Sequence, residues 1–391
     1  MFLSRIYDKY VFKKAMTCFV LLVLGFFSGI ALIDSTANMS NITSLELPFW
    51  DKMKGVLEYY MVMVFRYLDV FLPALLLITI VVTLTAMENR KEVISLMAMG
   101  ISPARFTLPL IVCGLIASGL FTAFRELYLP NQLERMMLRS KEFIAGVEEY
   151  DVYRILDDDV QITIDGDKLN LLNGTLIRAK VALPQDFNEY GNVINADSAV
   201  FNPSLDGRPA GWLLRGVTSP TEMLKNPSIK RKGDENERIV IYTPYDDHLL
   251  KSDELYITTN ITPRQMVGGS NWVKYASLQE LFDAIDDPSH SNHVSEIAAS
   301  IYTRMVRPFS DILPIFIGIS LFSLGVYYGR PSSKMYGYSF LITVCYVAVT
   351  AFLAPMLANK YRSAAIAVWG PLVIFLPVTA NLYCEIFRKR E

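Results

Sequence analysis

Six apolar runs, three towards each end of the chain, limit its possible folds more than any other feature. They cover residues 15–33, 70–87, 106–124, 312–328, 335–358 and 364–384, and none contains Asp, Glu, Lys or Arg. About 20 such residues in a helix cross a bilayer. The pattern therefore predicts six membrane-spanning helices in two groups of three. The run 312–328 is the shortest and borrows from Arg307-Pro308 at its polar end. The first run resembles a signal peptide, because Arg5, Lys9, Lys13 and Lys14 precede it. It is too long for a signal core and has no clear small-x-small cleavage site, so it reads as an uncleaved span. At 52% hydrophobic and 19% charged over 391 residues, the composition is too apolar for an ordinary soluble protein.

Lysine and arginine in the short connections set the orientation. One side carries Arg5, Lys9, Lys13, Lys14, Arg90, Lys91, Arg105, Arg330, Lys334, Arg388, Lys389 and Arg390. The short connections of the other carry only Lys52, Lys54, Lys360 and Arg362. Both termini and the segment 88–106 are thus expected in the cytoplasm, and residues of about 127–300 outside it. The expected division is 1–127 (spans one to three, with a cytoplasmic helix at about 88–100), 128–300 (an extracytoplasmic insert on helical stalks) and 301–391 (spans four to six).

The segment 88–106 is short and amphipathic, with Glu88, Arg90, Lys91 and Glu92 at its front. Those charges keep it out of hydrocarbon, so it lies at a membrane surface. At helical spacing Val93, Leu96, Met97 and Gly100 make one apolar stripe, with Glu92, Ser95 and Met99 beside it; Gly100 and Ser102-Pro103 end the helix and start the next. A surface helix joined to two spans is one by which a cytosolic partner could push on a membrane domain. An ordinary interhelical loop has the same features.

The insert alternates in the manner of short strands at 160–164, 197–201, 212–217, Ile239–Tyr242 and Leu255–Thr258. Between them lie the turn formers Asp165-Gly166-Asp167, Asn173-Gly174, Asp206-Gly207 and Lys232-Gly233-Asp234. This predicts an all-β sandwich or jelly roll. Residues 127–149 read as a helical continuation of the third span past Pro130, and Leu278–Ile285 and 294–304 read as helices leading back.

Catalytic motifs are missing. There is no P-loop, nucleophile elbow or H-E-x-x-H. A net charge of −2 without basic runs argues against nucleic acid. Cys18, Cys113, Cys345 and Cys384 all fall in apolar runs and read as small buried hydrophobes. His290 and His293 sit in a Ser/Asn-rich stretch and read as solvated loop rather than metal ligands. Asp157-Asp158-Asp159 reads as a turn facing water. No catalytic, metal or cofactor site is expected. The remaining candidates are basic residues near the outer leaflet: Arg66 (spaced to pair with Asp69), Arg125, Arg135, Arg139, Arg304 and Arg307. They suit phosphate- or carboxylate-bearing lipid head groups. Snorkelling and interfacial anchoring account for the same residues more simply. Trp50, Tyr59, Tyr60, Phe65 and Tyr67 read as an interfacial aromatic belt.

The run E-V-I-S-L-M-A-M-G-I-S at 92–102 is similar to the coupling helix of the LptF/LptG (YjgP/YjgQ) permeases of lipopolysaccharide export. Glu126 and Pro130 resemble that family's pair where the third span leaves the membrane. Ser277, Leu278, Glu280, Leu281, Glu296, Arg304 and Pro308 resemble its return into the fourth span, and Gly329-Arg330 its cytoplasmic turn. Over essentially the whole chain, the resemblance implies an inner-membrane ABC transporter permease with a periplasmic jelly roll and no ATPase site of its own. It implies a second LptF/LptG-type subunit, an LptB-like cytosolic ATPase dimer that binds the ATP and docks at Glu88, Arg90, Lys91, Glu92, Leu96 and Gly100, and an LptC/LptA-like periplasmic bridge. The cargo would be lipopolysaccharide or a related glycolipid. Where some members carry lysines at the outer end of the first span, this chain has Asp34-Ser35-Thr36-Ala37-Asn38. That departure points to the other subunit type or to a less phosphorylated lipid. Two other classes fit the composition: an FtsX-like mechanotransmitter or scaffold that moves no substrate, and an ion-coupled carrier. The carrier is disfavoured by the uncharged span centres.

Overall fold

In a computed structural model, the described residues are 6–184, 192–203, 208–230, 238–327, 332–357 and 361–388. Arg5, Lys389 and Arg390, the turns Asp206-Gly207 and Lys232-Gly233-Asp234, Gly329-Arg330 and Lys360 lie outside them. The chain divides into two compact units. One comprises Met1–Ser40, Tyr60–Tyr128 and Ala298–Glu391; the other comprises Asn41–Tyr59 and Leu129–Ile297.

The first unit is helical. Its elements are α1 (Ile6–Thr43), α2 (Phe49–Asn89), α3 (Glu92–Ala98), α4 (Pro103–Phe106), α5 (Leu108–Tyr128), α11 (Val294–Tyr327), α12 (Ser332–Leu357) and α13 (Tyr361–Arg388), with the ends of α1, α2 and α11 reaching into the other unit. Among the described residues, α1, α2, α5, α11 and α13 carry stretches long and apolar enough to cross a membrane; α12 contributes a shorter apolar stretch, Gly337–Tyr346. Leu72, Leu76, Ile80, Leu84 and Met87 of α2 repeat every three or four residues and meet Leu110, Cys113 and Phe121 of α5 and Ile315, Ile319 and Phe322 of α11. Lipid tails are as apolar as these side chains, so close van der Waals fit holds them together rather than escape from water. Small residues make that fit possible. A Cβ on Gly114 of α5 would run into the Ile315 side chain, and one on Gly318 of α11 would meet Leu77 at 2.9 Å. By contrast α1 buries only Asp8, Val11 and Ala15, leaving Leu21, Leu24, Leu32 and Ile33 exposed.

The second unit carries short helices α6 (Leu133–Met137), α7 (Ser140–Ala145), α8 (Pro263–Gly268), α9 (Trp272–Tyr275) and α10 (Leu278–Ile285), and ten strands. These are β1 (Glu149–Asp151), β2 (Ile155–Asp157), β3 (Ile162–Asp165), β4 (Lys168–Asn170), β5 (Thr175–Ala182), β6 (Val193–Asn202), β7 (Gly211–Ser219), β8 (Ile229–Lys230), β9 (Ile239–Tyr242) and β10 (Leu255–Thr258). They join one antiparallel sheet in the order β1-β4-β5-β6-β7-β10-β9-β8, and β5 also pairs with β3, which carries β2. Inward-facing strand residues build the core: Ile162 and Ile164, Trp212 and Leu214, and Leu255 and Ile257 lie two apart on one face, and Leu176 and Val181 of β5 join them; all are at most 1% exposed. The indole of Trp212 donates to the Ile261 carbonyl at 3.0 Å, satisfying its buried N–H.

Several expectations change. The second helix extends well beyond the apolar run 70–87, beginning at Phe49 directly after Pro48. Its first turns carry Trp50 and Tyr59 into the second unit, where Tyr59 packs edge-on against Phe143 at 5.5 Å, so Tyr59 serves packing there. The third span does not continue past Pro130. It ends at Tyr128, and a 3-10 turn at Pro130–Gln132 precedes α6 and α7, with extended Leu138 between those two helices. Cys345 and Cys384 are exposed rather than buried. His290 is no solvated loop residue: it is 6% exposed, stacks on Trp272 at 5.5 Å and pairs with the Gln265 amide at 3.0 Å. Nor does Asp157 face water. It is 1% exposed and accepts from the Thr259 hydroxyl at 2.5 Å, while Asp158 accepts from Asn292 and Asp159 pairs with Arg238.

Candidate functional site

The surface element between α2 and α5 is made by two left-handed residues. Lys91 has φ of +56° and its N–H donates to the Glu88 carbonyl at 2.8 Å, turning the chain straight from α2 into α3. Gly100, at φ of +77°, closes α3 as its N–H donates to Met97 and that of Ile101 donates to Leu96. Val93 and Leu96 point into the helical core. Met97 and Gly100 do not share that buried stripe: Met97 is 38% exposed near the end of α3, and Gly100 lies past that end in the closing turn. Ile94, Met97 and Met99 are instead exposed at 61%, 38% and 67%, forming an apolar outer face.

Glu92 is anchored by residues far away in sequence. Its carboxylate is 3.0 Å from the Lys14 ammonium of α1 and accepts from the Tyr10 hydroxyl at 3.0 Å. Arg105 adds a second tie, donating from Nε to the Tyr7 hydroxyl at 2.7 Å. Arg90 and Lys91 are exposed and Glu88 is half-buried. Nothing in the spacing of 88–100 identifies Lys14 or Tyr10 as partners.

Three of the six basic candidates meet inside the helical unit. Arg307 lies 2.5 Å from the Asp69 carboxylate, Arg125 lies 3.4 Å from the same oxygen, and Arg304 lies 3.4 Å from Glu126. Asp311, 1% exposed, accepts from the Ser118 hydroxyl at 3.1 Å, with Arg307 at 3.8 Å. Asp69 therefore pairs with Arg125 and Arg307 and not with Arg66, which is exposed. The Arg307 guanidinium also covers the Phe121 ring at 5.4 Å. Three guanidiniums face three carboxylates, so the cluster is close to neutral. Charge paired in this way holds α2, α5 and α11 in register and leaves little field for a ligand. In the second unit Arg135 pairs with Glu58 at 2.8 Å and lies over Phe143 at 4.4 Å, whereas Arg139 is exposed at the start of α7. Arg135 and Arg139 thus share no helix face, since α6 ends between them. Another link invisible in the sequence is Arg264, whose guanidinium donates to Glu134 at 2.7 Å and Glu280 at 2.6 Å, tying α6, α8 and α10.

The helical unit also carries an apolar groove of about 440 Å³, lined by Leu115 of α5, Phe309 and Phe316 of α11, and Leu372, Leu376 and Tyr383 of α13. Towards the C-terminal end of α1, Asp34 accepts from the Asn38 amide at 3.0 Å. The described residues place no group of three or more His, Cys, Asp or Glu where they could hold a metal ion.

Against known proteins, residues 9–384 match the family model described as lipopolysaccharide export system permease LptF/LptG. No curated protein matches the sequence.

Proposed function

The chain belongs to the LptF/LptG permease family of lipopolysaccharide export, and from that premise we propose that it converts the closure of a cytosolic ATPase dimer into release of a glycolipid from the membrane. The observation that carries this reading is α3. Val93 and Leu96 root it in the core shared by α2, α5 and α11, while Ile94, Met97 and Met99 face outward for a partner. A push on that face moves packed helices as rigid rods, because close-packed interiors do not deform continuously. Glu88, Arg90, Lys91 and Glu92 supply the polar contacts, Leu96 the root and Gly100 the stop.

In this reading six helices cross the inner membrane, three on each side of the insert, with both termini and α3 in the cytoplasm and the β unit in the periplasm. The ATP belongs to an LptB-like partner, and the chain is no enzyme. A second LptF/LptG-type subunit covers part of the exposed apolar length of α1. The cargo is held by acyl burial, about 0.8 kcal/mol per CH₂, so a many-chained lipid needs apolar protein surface to leave a leaflet. The groove along α5, α11 and α13 offers such surface. Head-group contact falls to Arg66 and Arg139, the two exposed members of the basic set, with Arg135 beside Glu58. The β unit acts as a jelly-roll-type receiver that passes lipid to an LptC/LptA-like bridge through the end strands of its sheet.

Exchanging Lys14 and Glu92, as Lys14→Glu with Glu92→Lys, tests the coupling role. The exchange keeps the internal ion pair but presents a cation where the ATPase would meet an acid. Lipid release in reconstituted vesicles is expected to fall at least about tenfold, the worth of a contact of about 1.4 kcal/mol, while the protein stays folded in the membrane. Wild-type release from the exchanged protein would reject Glu92 as the contact. Mass spectrometry of lipid retained by the purified complex tests the cargo. Glycolipid bound together with an ATPase is the expected result; an ATPase with a hydrolase or regulator and no lipid would favour a mechanotransmitter.

A further inference from the structure

A second cavity of the helical unit, of about 730 Å³, opens between α1 and the end of α2. Along α1 it runs from Tyr10 to Leu22, about 18 Å of helix at 1.5 Å per residue. That is close to one leaflet of a hydrocarbon core about 30 Å thick. Its two ends differ in chemistry. Lys13, Lys14 and Arg90 stand at one end, and Leu21, Leu22 and Val82 wall the other. Lys13 and Arg90 are exposed, and neither has a hydrogen-bond or ion-pair partner among the described residues. Lys14 is held by Glu92. Three cations thus face one carboxylate, an excess of positive charge that a phosphate can neutralise with charge-assisted hydrogen bonds. A soluble anion would satisfy the cations but leave the Leu21, Leu22 and Val82 wall unfilled. An amphiphile satisfies both ends.

We propose that this cavity binds an anionic phospholipid of the surrounding membrane, with its phosphate among Lys13, Lys14 and Arg90 and an acyl chain along Leu21, Leu22 and Val82, and that Glu92 competes with the phosphate for the Lys14 ammonium. The competition ties lipid occupancy to the residue proposed to contact the ATPase. That consequence rests on the proposed function; the binding itself does not, and its readout involves no ATPase.

The test is titration of the full chain, purified in neutral detergent, with dioleoyl phosphatidylglycerol or dioleoyl phosphatidylcholine, followed by native mass spectrometry. Phosphatidylglycerol is expected to be retained in preference. Lys13→Gln and Arg90→Gln should each weaken its retention about fivefold, as expected for roughly 1 kcal/mol per cation at a charged membrane surface. Val82→Trp, which fills the apolar end with every charge intact, should also weaken it. Glu92→Gln should strengthen retention by freeing Lys14, and Lys54→Gln in the other unit should change nothing. Equal retention of the two lipids, or indifference to Lys13→Gln and Arg90→Gln, would overturn the site. Displacement of the lipid by millimolar inorganic phosphate together with indifference to Val82→Trp would identify a soluble-anion site instead. Unchanged retention in Glu92→Gln would overturn the competition.

Discussion

The carboxylate of Asp69 decides the packing of three helices, because two guanidiniums, the buried Arg125 and the half-buried Arg307, converge on it. Removing one partner of a buried ionic network strands the others in a medium that cannot solvate them, at a cost of about 3 kcal/mol or more. Asp69→Asn is therefore expected to destabilise the protein in detergent by about that amount, while Arg66→Gln, at an exposed site, stays within about 0.5 kcal/mol. Thermal or denaturant unfolding of the two variants measures the contrast, and equal losses would return Arg66 to the pair. Helical spacing within α2 brings Arg66 and Asp69 close, so local reading pairs them. What it lacks is the competition from α5 and α11, whose arginines approach at 3.4 and 2.5 Å from elsewhere in the chain. The same limit applies to Glu92: its acidity is legible, its Lys14 and Tyr10 partners are not. Gly100 is the opposite case, since the need for a left-handed residue at a helix end is local, and the glycine reveals it.

Long elements with a strong period can be read directly, and short or interrupted ones cannot. The strands β3, β6, β7, β9 and β10 each overlap an alternating fragment of the sequence, but β5, with eight residues paired on both edges, shows no clean alternation. Arg178 interrupts it at φ of +51°, placing two exposed residues in succession and hiding a central strand. β1, β2 and β4 have three residues each, too few for any period. Among helices, the apolar runs locate the spans but not where the helices end, since α2 continues through 41 residues on charged and aromatic sequence. Close approach between helices depends on glycine. Gly114→Val would force a side chain into Ile315, and overpacking of this kind costs about 1–3 kcal/mol. Ile315→Ala in the same chain vacates that space, so the double variant should recover part of the loss. Additive losses on unfolding would show that the two residues do not touch.

At the scale of the whole molecule, one orientation underlies the functional reading: the elbow at Asn89 faces the cytosol and the β turn at Asn173 faces the periplasm. With Cys18, Cys113, Cys345 and Cys384 replaced, single cysteines at Asn89 and Asn173, both exposed, are expected to react with impermeant reagents from opposite sides. Labelling of both from one side would end the coupling mechanism. The sequence by itself determined that apolar helices flank a strand-rich insert, because hydrocarbon admits only backbone that satisfies its own hydrogen bonds, and that demand marks every residue of a span. It also determined where α3 stops, through Gly100, but not where it starts: the helix expected from about 88 begins at Glu92, because α2 runs on to Asn89 and Lys91 turns the chain at φ of +56°. Only the tertiary structure decided which charges are spent on one another. Asp69, Arg125, Arg304, Arg307 and Asp311 come from three helices that meet only after folding, and an arginine neutralised at 2.5 Å and one open to a ligand are the same letter in the chain. Ion pairing depends on distance in space, and sequence separation carries almost no information about that once the chain has turned back on itself.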